Sequence, residues 1–223
     1  MKIIATSDLH GHLPNIPDGD LLLICGDFVP LEIQRYSRLC RDWMLQEFTD
    51  WVNEQPVNKV LFICGNHEVG LEKCTRFLKD TFPFNNKITY LEDEEYNYKG
   101  LRIYGTPWCK IFYNWAFMLN DIGLQSIYSK IPEGLDILMT HDAPYQNEVG
   151  FIHDSPYVSR VVDASNYILG DIIEEKKPKL SLCGHIHSGT KELAKIEDTK
   201  FVNVSYVDEY YNPINKIFTY DYN

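Results

Sequence analysis

The chain reads as a series of short apolar runs, each closed by polar or turn-forming residues. Five stand out: IIATSD from Ile3, LLLICGD from Leu21, VLFICGNH from Val60, DILMTH from Asp136 and LSLCGH from Leu180. Such runs are apolar at consecutive rather than alternate positions, which predicts strands buried on both faces. Between the second and third runs, Tyr36, Leu39, Cys40, Trp43, Phe48, Trp51 and Val52 recur close to a helical period and predict an amphipathic crossover helix. A second helix is predicted from about Val161 to Glu175, ended by Lys177-Pro178. Strands alternating with helices imply βαβ units and a mainly parallel sheet.

Two segments break that rhythm and are rich in strand formers. They run from Ile88 to Gly105, with Lys99-Gly100 as the turn, and from Lys191 to Tyr220, with Asp198-Thr199. Both predict antiparallel hairpins. A parallel sheet followed by late hairpins predicts an α/β fold, a four-layer α/β/β/α sandwich of two mixed β-sheets flanked by helices. A length of 223 residues suits one domain over 1–223. The aromatic stretch WCKIFYNWAFML between Trp108 and Asn120 has no clean period and is expected to be irregular, near the mouth of a site.

Composition narrows the function classes. The formal net charge of −11 repels a phosphodiester backbone, so a long nucleic acid is not an expected partner, whereas a small phosphorylated substrate is open. The opening MKIIATSDLH lacks an export-signal core, and no apolar stretch is long enough to cross a bilayer. A cytoplasmic location without membrane association is the expectation, and no pattern sets an oligomeric state. Six cysteines (Cys25, Cys40, Cys64, Cys74, Cys109, Cys183) form no CxxC pair and read as reduced, mostly buried thiols.

The chemistry lies at the ends of the five apolar runs. They terminate in Asp8 and His10, in Asp27, in Asn66 and His67, in His141, and in His185 and His187. The carboxyl ends of strands in an open α/β sheet share one crevice, so these donors should converge there. Two carboxylates, one amide and five imidazoles exceed what one cation can use, and two metals are implied. The expected division gives the first metal Asp8, His10, Asp27 and His187, and the second Asp27, Asn66, His141 and His185. Asp27 would bridge, offsetting the repulsion of cations about 3.5–4 Å apart, and His67 is left over. Asp8-Leu9-His10 and Gly184-His185-Ile186-His187 are expected to present alternate side chains from extended backbone, while Gly26 and Gly65 allow sharp turns. Mixed imidazole and carboxylate donors suit manganese, iron, zinc, cobalt or nickel.

Blander roles are expected elsewhere. His12 and His153 read as structural, Glu68 as a cap of the helix after it, and Glu92 to Glu95 as a solvated hairpin edge. Trp108, Phe112, Tyr113 and Trp115 read as core packing, with stacking on a nucleobase or aryl group as the alternative.

In this order, Asp-x-His, Gly-Asp, Gly-Asn-His-Glu, a lone His and Gly-His-x-His resemble the calcineurin-like metallophosphoesterases over Asp8 to His187. KGLRIYGTPW (Lys99 to Trp108), IPEGLDILMTH (Ile131 to His141) and KPKLSLCGHIH (Lys177 to His187) look like the metallophosphoesterase-domain-containing branch. That resemblance implies phosphodiesterase activity, including on cyclic nucleotides. Some vertebrate members have Gly at the position of His185, whereas the ligand set here is complete. Protein Ser/Thr phosphatases carry Asp-Arg-Gly after the second motif, and this chain reads Gly26-Asp27-Phe28-Val29-Pro30. The expected reaction is attack of a metal-bridging hydroxide on a small nucleotide-like or aryl phosphodiester, with His67 protonating the leaving oxygen and Asp8 orienting its ring. The alternatives are a phosphomonoesterase or pyrophosphatase, or a non-catalytic metal-binding scaffold.

Overall fold

The computed structural model describes every residue except 83–85, 154, 157 and 223. All five apolar runs are strands: β1 (Lys2–Thr6), β2 (Gly19–Cys25), β3 (Val57–Ile63), β9 (Ile137–Thr140) and β12 (Leu180–Cys183). They divide between two sheets. In the first, β1, β2, β3 and β4 (Ile88–Tyr90) run parallel, and β15 (Phe218–Asp221) closes the edge antiparallel to β1. In the second, β6 (Leu101–Thr106), β9, β12 and β14 (Thr199–Asn203) run parallel, with β5 (Glu94–Tyr98) and β13 (Ala194–Ile196) as antiparallel edges. Short pairs β7 (Cys109–Lys110) with β8 (Met118–Leu119) and β10 (Phe151–Ile152) with β11 (Val162–Asp163) stand apart.

Each sheet is apolar on both faces because it has two partners. Ile3, Leu21, Leu23, Leu61 and Ile63 meet Ile103, Ile137, Met139, Leu182 and Val202 between the sheets. The alternate residues Ile4, Leu22, Ile24 and Phe62 face α1 (Ser37–Trp43), α2 (Thr49–Glu54) and the turn that joins them through Trp43, Trp51 and Phe48. Tyr104, Leu138 and Phe201 on the far side of the second sheet pack on α5 (Asp121–Tyr128) and α6 (Tyr167–Lys176). This is the four-layer sandwich the pattern predicts, and α3 (Val69–Glu72) and α4 (Thr75–Thr81) complete the first helical layer. No described helix is long and apolar enough to cross a membrane.

Four local expectations change. The crossover helix contains a π turn over Met44–Phe48, which absorbs the five-residue step from Trp43 to Phe48 so that both rings reach the core. The helix expected from Val161 begins at Tyr167, where the Asn166 side chain accepts from Leu169 N at 3.0 Å, and Val162–Asp163 is extended. Ile88–Tyr90 and Phe218–Asp221 join the first sheet, so each late segment keeps one hairpin, β5–β6 and β13–β14. The second hairpin turns at Glu197-Asp198, one residue earlier than expected, because Ile196 pairs with Thr199.

Candidate metal centre

The loops after β1 and β2 run side by side, bound by Asp8 N to Gly26 O (2.9 Å), His10 N to Asp27 O (2.9 Å) and Gly11 N to Phe28 O (3.0 Å). The expected extended backbone is absent from both ligand pairs. Asp8, His10, Asp27 and His185 all have positive φ, between 44° and 67°. Left-handed conformations cost a non-glycine residue energy and persist where surrounding structure imposes them, commonly at functional sites. Here the coil buries Leu9 completely and leaves Asp8 and His10 on the crevice side. Gly26 has φ +94°, as a sharp turn demands. Gly65 serves differently: a Cβ there would press on Asp27 Oδ1 and lie 2.5 Å from His141 Cε1.

The donors gather in three overlapping groups, Asp8 with His10 and His187, His10 with Asp27 and His67, and Asp27 with His141 and His185. Within each, the ligand atoms lie within 4.8 Å of one another. Asn66 joins the third group through Oδ1, 3.0 Å from His141 Nε2. Asp27 thus sits between the two expected sets, and His185 and His187 fall one to each.

The protonation pattern tests whether these residues fit cations. His187 Nδ1 donates to Asp208 O (2.9 Å) and His141 Nδ1 to Cys25 O (2.8 Å). Nε2 of each ring then faces a carboxylate oxygen, at 3.3 Å from Asp8 Oδ1 for His187 and 3.2 Å from Asp27 Oδ2 for His141, a contact that either a proton or a cation must bridge. His187 Nε2 also lies 3.3 Å from His10 Nε2, and His10 Nδ1 is buried without a hydrogen-bond partner. Carboxylate and imidazole donors converging in a buried cluster need positive charge among them, which a cation supplies by displacing the Nε2 protons, and second-sphere carbonyls that fix Nδ1–H are what orient imidazole ligands. The set fits divalent cations bound through nitrogen and oxygen.

Burial drives the remaining electrostatics. It pushes His10 down to about 3 and His185 down to about 4. It opposes ionisation of Asp8 and Asp27 too, yet His187 beside the first and His141 beside the second hold both carboxyls below their ordinary values. For His141 burial is outweighed by Asp27, which lifts the imidazole to about 10.

Glu68 is not a helix cap, since its side chain makes no bond to the helix it precedes. It is fully buried and accepts from Asp27 N (2.8 Å), Phe28 N (2.9 Å), Val29 N (3.1 Å) and Gly65 N (2.6 Å), clamping the β2 and β3 loops together. Burial, then the Asp27 carboxylate, push it up to about 8, against the pull of the Val29 and Gly65 N–H groups and of His141.

His67 stands in the middle group, with Nδ1 held by Gln34 Oε1 rather than by Asp8. Asp8 instead accepts from His185 N at 3.0 Å. Neither Gln34 nor Tyr211 carried a motif signal. Tyr211 packs edge-on against His10 (4.8 Å between centroids) and His187 (5.3 Å) from a loop after β14. His12 Nε2 binds that loop at Tyr211 O (3.2 Å), and exposed His153 lies beside Glu148, so both stay outside the donor groups.

The aromatic stretch does line the mouth, through Phe112, but of the four rings expected in the core only Trp108 packs there. Tyr113 is 92% exposed, and Trp115 stacks on His67. A cavity of about 320 Å³ opens over the donors, walled by Phe112, Ile152, Ala164, Ile186 and Tyr211, with Lys110 and Glu209 at its polar edge. Of the acidic cluster, Glu94 and Glu95 do occupy edge strand β5, with Glu95 paired to Arg102 at 2.8 Å.

Comparison with known proteins agrees with this geometry. A family model described as calcineurin-like phosphoesterase matches residues 1–189. Metallophosphoesterase domain-containing protein 1 of Homo sapiens is 30% identical over 96% of this chain and 68% of its own length, and the Mus musculus protein gives the same figures. Among solved structures, TT1561 of Thermus thermophilus aligns with a TM-score of 0.62 at 12% identity, covering 91% of this chain and 88% of that one. The phosphopantetheinyl hydrolase PptH of Mycobacterium tuberculosis aligns at 0.55 and 14%, covering 94% and 90%. At these identities the structural matches speak to the fold.

Proposed function

The chain belongs to the calcineurin-like phosphoesterase family, in its metallophosphoesterase-domain-containing branch, and from that premise we propose a dinuclear metal-dependent phosphodiesterase acting on a small nucleotide-like or aryl diester. The observation that carries the proposal is the meeting of Asp8, His10, Asp27, Asn66, His141, His185 and His187 with their donor atoms turned toward one another. Asp8, His10, Asp27 and His187 would hold one cation, and Asp27, Asn66, His141 and His185 the other, drawn from manganese, iron, zinc, cobalt or nickel. Bound there, cations supply charge against the phosphoryl oxygens and make water acidic enough to attack near neutral pH.

The side chains around the donors then divide the work. As a water oxygen bonds to phosphorus and the bond to the leaving group breaks, His67 Nε2 gives its proton to the leaving oxygen. The proton lost by water passes to solvent, which also reprotonates Nε2. Such proton transfer contributes about 10²–10⁴-fold when the leaving group is basic.

The cavity favours a diester. A phosphomonoester is a dianion, and no arginine lines the cavity among the described residues. The Lys110 ammonium is engaged by the carbonyls of Ala164 and Ser165, and Glu209 adds a negative charge at the rim. A monoanionic diester meets less repulsion, and Phe112, Ile152 and Tyr211 offer apolar surface to its ester group. With manganese, bis(p-nitrophenyl) phosphate should turn over faster than p-nitrophenyl phosphate. A faster monoester would replace the diester reading, and no turnover of either would remove the enzyme reading.

A further inference from the structure

Two side chains with no metal-ligand role close around His67. Gln34 Oε1 lies 2.5 Å from Nδ1, and the Trp115 ring stacks on the imidazole with centroids 4.3 Å apart and planes at 27°. We propose that Gln34 and Trp115 are positioning residues that fix the tautomer and the plane of His67, so that Nε2 alone meets the leaving oxygen. The inference rests on the phosphodiesterase reading given above.

An imidazole left to itself exchanges its two tautomers and rotates about the Cβ–Cγ bond, so its proton is delivered from either nitrogen or from neither. An amide oxygen only accepts, and placed against Nδ1 it requires the proton there. Nε2 is then the atom that gains and loses a proton during turnover. Gln34 does this without adding a charge beside the metal donors. The stacked indole restricts ring rotation, which the hydrogen bond alone leaves partly free.

Both arms are anchored to the segment that carries His67. Gln34 N donates to Pro30 O (3.1 Å), and its carbonyl accepts from Gly70 N (2.6 Å) in α3. Ala116 N donates to Asn66 O (3.0 Å) and Phe117 N to Glu72 Oε1 (2.7 Å), which holds Trp115 against the same segment. The Arg35 guanidinium carbon lies 4.6 Å from the Trp115 ring centroid and adds a further contact to the indole. The three residues come from separate parts of the chain, and His67 is where they meet.

The test has one arm without metal and one with it. In ¹⁵N NMR of the metal-free protein, wild-type His67 should show a single tautomer protonated at Nδ1. Gln34→Ala should show averaging of both tautomers, and Gln34→Glu, whose carboxylate accepts the same proton, should restore one. In the manganese-loaded enzyme, Gln34→Ala should lower kcat on methyl phenyl phosphate about tenfold more than on bis(p-nitrophenyl) phosphate, with little change in KM, because only the basic leaving group needs the proton. Trp115→Leu should act in the same direction, and Gln34→Glu should recover most of the loss. Equal losses on both substrates, or a wild-type tautomer pattern in Gln34→Ala, would overturn the proposal. If wild type hydrolyses neither diester the phosphodiesterase reading falls, and the NMR arm alone then upholds or overturns the placement of His67.

Discussion

Replacing Glu68 by Gln tests how the two loops that carry the candidate metal ligands are held. Each carboxylate oxygen accepts two backbone N–H groups, Oε1 from Phe28 and Val29 and Oε2 from Asp27 and Gly65. Whichever oxygen becomes an amide NH₂ turns two acceptor contacts into donor-against-donor contacts. Hydrogen bonds to a charged group contribute about 1.5–3 kcal/mol each, so two lost bonds amount to about 3–6 kcal/mol. The neutral amide also removes the cost of burying a charge near Asp27, which offsets part of that, and we set the net loss at about 2–4 kcal/mol. Against a total stability of about 5–15 kcal/mol this is a large effect. Urea unfolding of metal-free protein at about pH 9, above the value of about 8 at which Glu68 ionises, isolates it, since bound metal would add its own linkage. With a slope of about 2 kcal/mol per M, the midpoint should fall by about 1–2 M. Manganese affinity should fall about tenfold or more as Asp27 loses its support. A midpoint within about 0.5 M of wild type, with unchanged manganese binding, would refute the clamp.

Other outcomes follow from the same geometry. His67→Ala should keep its metal content while losing about 10²–10⁴-fold in kcat on a diester with a basic leaving group, and unchanged turnover removes His67 from catalysis. Gly65→Ala puts a methyl against Asp27 Oδ1 and 2.5 Å from His141 Cε1; thermal unfolding should show a loss of about 1–3 kcal/mol or more, and wild-type stability would mean the loop yields freely. Asp136 is a remote pH probe. Burial opposes its ionisation, but Lys179 Nζ (2.8 Å), Tyr222 Oη (2.6 Å) and Arg102 N (2.8 Å) outweigh it and hold the carboxyl below its ordinary value. A depressed folded-state pKa contributes stability above the unfolded value that is lost as pH falls through the folded one. Asp136→Asn should therefore cost about 1–2 kcal/mol at pH 7, the share of exposed Lys179 being reduced by solvent screening. The gap to wild type should close as pH falls below about 4, and a gap that widens on acidification contradicts the assignment.

The strands were legible because burial on both faces writes itself as consecutive apolar residues, as in Leu21 to Cys25 and Val60 to Ile63. The candidate donors stood out for a related reason, each lying within a few residues of the end of such a strand. Backbone conformation at those ends was not legible, since Asp8, His10, Asp27 and His185 are non-glycine residues whose positive φ is imposed by neighbouring loops. The π turn was visible only as an irregular five-residue step from Trp43 to Phe48. Glu68 lay inside a recognised motif, yet three of its partners are about forty residues away, and a sequence pattern assigns a carboxylate before a helix to the helix. Gln34, Trp115 and Tyr211 reach the site from segments with no periodicity, and only folding brings them to His67 and His10.

Anomalous diffraction from crystals soaked in manganese, collected on either side of the metal edge, tests the dinuclear centre most directly. Two peaks are expected, one among Asp8, His10 and His187 and one among Asn66, His141 and His185, with Asp27 touching both. A single peak, or two that leave Asp27 without a contact, would contradict the account.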